Sequence, residues 1–219
     1  MEFNLVQLAI TVRTTDARLL RRHLLMMGGR FADICRDIAC KRPAGVCDSC
    51  SLQEVCPWYQ VFGQKLSSDP MELKRHQKPP LPFMFSFPRP QDTVHNTEML
   101  CELVVVGPAI SHLEMLLDGF VAILAHDRCP SPAEVFSVGS CDYQGAVQPL
   151  GDGRDVTCPD NLVVLSAAGL LEARTWGCSD LGVRLLSPLR LFDDGHLLDH
   201  FDFSRFARSL MRRVSSVAY

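Results

Sequence analysis

Cys40, Cys47, Cys50 and Cys56 follow one another with six, two and five residues between them. Four soft thiolates in so short a segment point to one inorganic centre, zinc or an iron-sulfur cluster, rather than to four separate core residues. The intervening stretches contain Pro43, Gly45, Asp48, Ser49 and little apolar material. Nothing else in the segment would hold it in shape, so the metal is expected to serve as its local core.

Structural zinc favours two short-spaced pairs, and only Cys47 and Cys50 form such a pair. The same six-two-five arrangement resembles the 4Fe-4S loop of DNA glycosylases of the endonuclease-III type, so zinc and 4Fe-4S both stand as cofactor expectations. Cys35 is a fifth candidate thiol that would lengthen the first gap if it replaced Cys40. Cys101, Cys129, Cys141, Cys158 and Cys178 are scattered and read as structural.

The elements that must position this loop follow from periodicity. Val6, Leu8, Ile10 and Val12 alternate as on a strand, and Asp16 is placed to cap a helix carrying Leu19, Leu20, His23 and Leu24. Gly28 and Gly29 interrupt that helix, a second piece runs through Phe31 and Ile34, and the cysteine loop follows as an insertion over about residues 35–62. A polar linker spans residues 63–80. Residues 83–87 and 98–106 read as an antiparallel strand pair. Ile110, Leu113, Leu116, Phe120 and Leu124 have helical period, and residues 134–147 return to strand composition.

The sum is β-α-β-β-α-β, an α+β, ferredoxin-like (RRM-like) domain over residues 1–150. Gly151-Asp152-Gly153 then reads as a turn, followed by strands at residues 162–165 and 182–192 and a closing helix with Phe203, Phe206, Leu210 and Val214 on one face. Residues 151–219 thus begin a second, incomplete ferredoxin-like unit, expected to dock on the first domain or on another subunit.

Composition sets the frame. With 219 residues, 47% hydrophobic and 21% charged, the chain reads as globular. The sequence shows no basic leader, and its longest apolar run, near residues 103–110, is too short to cross a bilayer. A cytoplasmic protein with reduced thiols and no membrane partner is the expectation. The net charge is −3, yet Arg13, Arg18, Arg21, Arg22, Arg30, Arg36, Lys41 and Arg42 cluster early, and Arg205, Arg208, Arg212 and Arg213 cluster late. Two such clusters would frame a phosphate-binding groove. No Walker-type loop, His-Glu-x-x-His helix or nucleophile elbow occurs in the sequence.

Residues 187–196, Ser-Pro-Leu-Arg-Leu-Phe-Asp-Asp-Gly-His, followed by Asp-Phe-Ser-Arg-Phe-Ala-Arg-Ser-Leu-Met-Arg-Arg at 202–213, resemble the CRISPR precursor-RNA processing endoribonucleases of the RAMP superfamily. The cysteine loop with Pro57-Trp58-Tyr59 and Phe62 is similar to the four-cysteine segment of that family's bacterial members. The resemblance implies a CRISPR RNA-binding protein that cleaves precursor crRNA without a metal, through attack by the RNA's own 2′-hydroxyl, with other effector subunits as partners. It makes His23 the candidate general base, His196 and His200 weaker ones, and Arg21, Arg22, Arg205, Arg208, Arg212 and Arg213 the RNA contacts. Full members continue into a glycine-rich RNA-gripping part that this sequence lacks, so RNA binding without cutting is also implied. A non-catalytic subunit of a crRNA-guided effector complex is the alternative, and an iron-sulfur DNA repair protein ranks below both.

Overall fold

The computed structural model describes residues 3–41, 46–64, 79–88, 97–126, 129–151, 161–173, 183, 191–193 and 196–218. The fold is mixed α and β around an antiparallel sheet. Strand β1 (Asn4–Thr14) puts Val6, Leu8, Ile10 and Val12 on one face, all fully buried, because alternate side chains of a strand point to opposite faces. Helix α1 (Ala17–Met26) starts at Asp16, whose Oδ1 accepts from the Leu19 amide at 2.9 Å, as its N-cap position predicts. Helix α2 (Gly28–Ala39) begins at the Gly28-Gly29 pair, so the glycines separate two helices rather than ending one.

After the cysteine loop come α3 (Pro57–Phe62), β2 (Phe83–Ser86) and β3 (Glu98–Val106). A 3-10 stretch at Gly107–His112 leads into α4 (Leu113–Leu124). Strands β4 (Ala133–Cys141) and β5 (Val147–Gly151) complete the first unit. The single strand expected over residues 134–147 is therefore two. Asp142 Oδ1 accepts from the Gln144 and Ala146 amides at 2.9 and 2.8 Å, and Gly145 takes φ +82°, which together turn the chain.

The sheet order is β2-β3-β1-β4-β5, with every neighbouring pair antiparallel. Leu8 faces Leu103 on β3 and Ser140 on β4, which fixes β1 as the central strand. A bulge in the β1–β4 register after Thr11 passes over Phe136, whose ring lies 3.4 Å below the Arg13 guanidinium. The buried faces of β1 and β3 join Leu20, Phe31, Leu116 and Phe120 from the helices in one core. The span Gly107–Leu124 has the length and mean hydropathy, 1.3, of a membrane-crossing helix. Its apolar residues Leu113, Leu116 and Phe120 instead fill this core.

Beyond residue 151 the described pieces are short. Strand β6 (Leu165–Ser166) pairs with the start of β1 through Asn4↔Ser166 and Leu5↔Leu165, and α5 (Ala167–Ala173) follows it. Strands β7 (Phe192–Asp193) and β8 (His196–Leu197) form a separate pair, and α6 (Phe203–Ala218) closes the chain. Asp152 and Gly153, most of the 63–80 linker, and most of the strand expected at 182–192 lie outside the described residues.

Candidate metal centre

Each of the four loop cysteines sits at the end of an element. Cys40 follows α2, and its amide donates to Arg36 O at 2.8 Å. Cys47 opens a single 3-10 turn, and the Cys50 amide closes it by donating to Cys47 O at 3.2 Å. Cys56 directly precedes Pro57 at the start of α3. Proline suits that first helical position, where its missing N–H costs nothing, so the last thiol is held against a rigid start.

Side-chain bonds fix the loop to the domain. Trp58 Nε1 donates to Ala32 O at 2.7 Å, tying α3 to α2, while the Arg36 guanidinium lies 5.7 Å from the Trp58 ring. Gln53 Nε2 donates to Cys47 O at 3.1 Å, and Gln60 Nε2 to Glu54 O at 2.7 Å. Cys40, Cys47, Cys50 and Cys56, all half-buried, line one cavity of about 20 Å³ with Arg36, Gln53, Trp58 and Tyr59. The Tyr59 hydroxyl is raised above its usual pKa by desolvation first, then by the negative charges of Asp48 and Cys47.

Such a space admits one water-sized body, and its donors are four thiols without a carboxylate or imidazole among its walls. That donor set fits a soft-ligand centre. As placed, no three His, Cys, Asp or Glu side chains among the described residues stand close enough to hold a metal ion. Cys35 is elsewhere: it is fully buried against α4, and its thiol points to Met115 O at 3.8 Å.

The expected arginines and His23 lie on two separate helices, and His196 and His200 lie between β7 and α6. On α1, Arg21 is half-buried and its Nε donates to Phe87 O at 2.7 Å, whereas Arg22 is exposed. His23 Nε2 is buried with no hydrogen-bond partner among the described residues, and its pKa is lowered by burial, then by His126 and Arg30. Arg205, half-buried on α6, meets Asp202 at 3.4 Å; Arg208, Arg212 and Arg213 are exposed. His196 is exposed, and His200 Nδ1 lies 2.6 Å from Asp199 Oδ1 at the surface. One structural feature escaped sequence reasoning, the aromatic cavity beside Arg21, although Phe83, Phe85 and Phe87 at every second position signalled it.

Fold and site together define an α+β protein whose antiparallel sheet carries a four-thiol loop on its helical side. The profile of the AF_1859_N family, described as an N-terminal domain, matches residues 3–150, and the chain belongs to that family. No curated protein and no solved structure matches the chain.

Proposed function

We propose that the chain is a CRISPR RNA-binding protein of the RAMP superfamily, with a ferredoxin-like first domain and a structural metal in its four-cysteine insertion. The observation that carries the fold part of this reading is the strand order β2-β3-β1-β4, all antiparallel, with α1, α2 and α4 contributing to the same core as the buried strand faces. A split pair of β-α-β units interleaved in one sheet requires that order. The convergence of the four thiols on one small cavity supports the metal, zinc or 4Fe-4S, which would supply structural bonds and no catalytic step.

In this reading Arg21 and Arg22 on α1, with Arg205, Arg208, Arg212 and Arg213 on α6, contact RNA phosphates. The open sheet face presents Glu98, Glu102 and Glu134 around Arg13, itself paired with Glu98, a poor surface for a polyanion, which favours the helices as the contact elements. Partners are crRNA or its precursor and other effector subunits in the cytoplasm.

His23 is the proposed base for 2′-hydroxyl attack, and its lowered pKa keeps it neutral, as a base must be. One observation favours the non-catalytic alternative: the His23 Nε2 is shielded from solvent, where an RNA hydroxyl would have to reach it. The deciding experiment purifies the tagged protein from its host without oxygen and sequences the RNA that accompanies it. Uniform RNAs ending in a shared repeat fragment support the reading, and absence of RNA removes it. Cleavage of repeat RNA that is lost in His23→Ala while binding persists selects the enzyme; wild-type binding without cleavage selects the subunit.

A further inference from the structure

A cavity of about 750 Å³ opens between α1, the start of α2 and β2. Well-packed interiors leave few voids larger than one water, and this volume is that of a small-molecule site. Its walls are built from the aromatic cluster of the fold. Phe31 meets Phe83 and Phe85 edge-on at 5.6 and 5.3 Å, and Phe85 stacks on Phe120 at 5.2 Å. At the rim, Leu25 and Met84 are 52% and 56% exposed.

Among the described residues, Arg21 is the one charged residue lining this space. Its Nε is used on Phe87 O, which orients the guanidinium and leaves the Nη donors for a ligand. Ser86 is the only other polar side chain among the described residues that line it. A nucleobase needs several hydrogen-bond partners along its edge and would leave them unmade in such walls, at about 1–3 kcal/mol for each buried group.

We propose that this cavity binds a small amphiphile: an apolar body seated among the phenyl rings and one anionic group held by Arg21. The site does not rest on the RNA reading, since protein that carries no RNA would still bind such a molecule.

The test titrates the full chain with 1-anilinonaphthalene-8-sulfonate and with the uncharged N-phenyl-1-naphthylamine, followed by displacement with decanoate. Expected are saturable binding of both probes at one site and displacement by decanoate. Gly28 lines the cavity, and a Cβ there meets nothing within 4 Å, so Gly28→Trp should block both probes without changing the circular dichroism or the melting temperature. Arg21→Gln should weaken the sulfonate by roughly tenfold, the loss of one charge-assisted contact, and leave the uncharged probe unchanged. Three results overturn the proposal: binding that survives Gly28→Trp in the folded variant, equal weakening of both probes in Arg21→Gln, or displacement by adenosine monophosphate at lower concentration than by decanoate.

Discussion

What a thiol meets separates the cysteines of this chain into two kinds. Burial pushes Cys35 and Cys101 up to about 12, so both stay protonated and inert at neutral pH. The four loop thiols are half-buried around a shared space and remain open to a metal. If the proposed metal is bound there, Cys47→Ser should lower the metal content of purified protein, measured by elemental analysis, whereas Cys35→Ala should leave it unchanged and cost stability instead. The grouping of the four loop thiols around one space was legible because their spacing is short and their surroundings polar. Cys35 was ambiguous as a sequence feature, since only the i, i+4 relation with Phe31 places it toward α4. His23 carries a second prediction. Its folded-state pKa lies below its unfolded value, so above about 6.5 both states are neutral and the group is silent. As pH falls below that value the unfolded chain takes up the proton first, and stability drops. Urea midpoints at pH 7.5 and 5.5 should differ less in His23→Ala than in the wild type, with His112, also lowered by burial, keeping part of the slope.

Among the elements, α2 and α4 approach most closely at Gly119. A Cβ built there would lie 2.5 Å from the Cys35 sulfur, which is fully buried, and 3.1 Å from the Phe31 ring. Gly119→Ala should destabilise by about 1–3 kcal/mol, read as a lower urea midpoint at unchanged slope. Phe85→Ala, which removes a ring touching Phe31, Phe83, Phe87 and Phe120, should cost about 3–5 kcal/mol. The alternation of β1 and the helical period of α4 could be read directly from the sequence, because each buries one face against one partner layer. The bulge at Phe136 could not, since it arises from pairing with β1 and leaves no local trace. The division of β4 from β5 had a signal, Asp142 three residues before Gly145, that strand-like composition on both sides concealed.

At the scale of the whole molecule, the sequence boundary near residue 150 does not separate the sheet, because β6 at Leu165–Ser166 hydrogen-bonds to β1. The closing helix was legible as amphipathic, and its apolar residues Phe203, Leu210, Met211 and Val214 are exposed in the structure. Leu210→Glu with Val214→Glu should shift stability by no more than about 0.5 kcal/mol per substitution in thermal unfolding, in contrast to any charge placed at Leu116. What the sequence could not reveal is how much of the architecture rests on one strand. Among the described residues, every pairing of β1 is made with chain that comes far later: the long ones with β3 at Glu98–Val106 and β4 at Ala133–Cys141, and a two-residue one with β6 at Leu165–Ser166. On a ribosome adding ~5–20 residues per second, β4 begins to emerge roughly 6 to 24 seconds after β1. Until β3 emerges β1 presents both strand edges, and until β4 emerges it still presents one, together with the aliphatic side chains of Val6, Leu8, Ile10 and Val12. Biosynthesis of this protein is thus a waiting problem, and the segment that ends as its centre is the one that a nascent-chain chaperone would grip first.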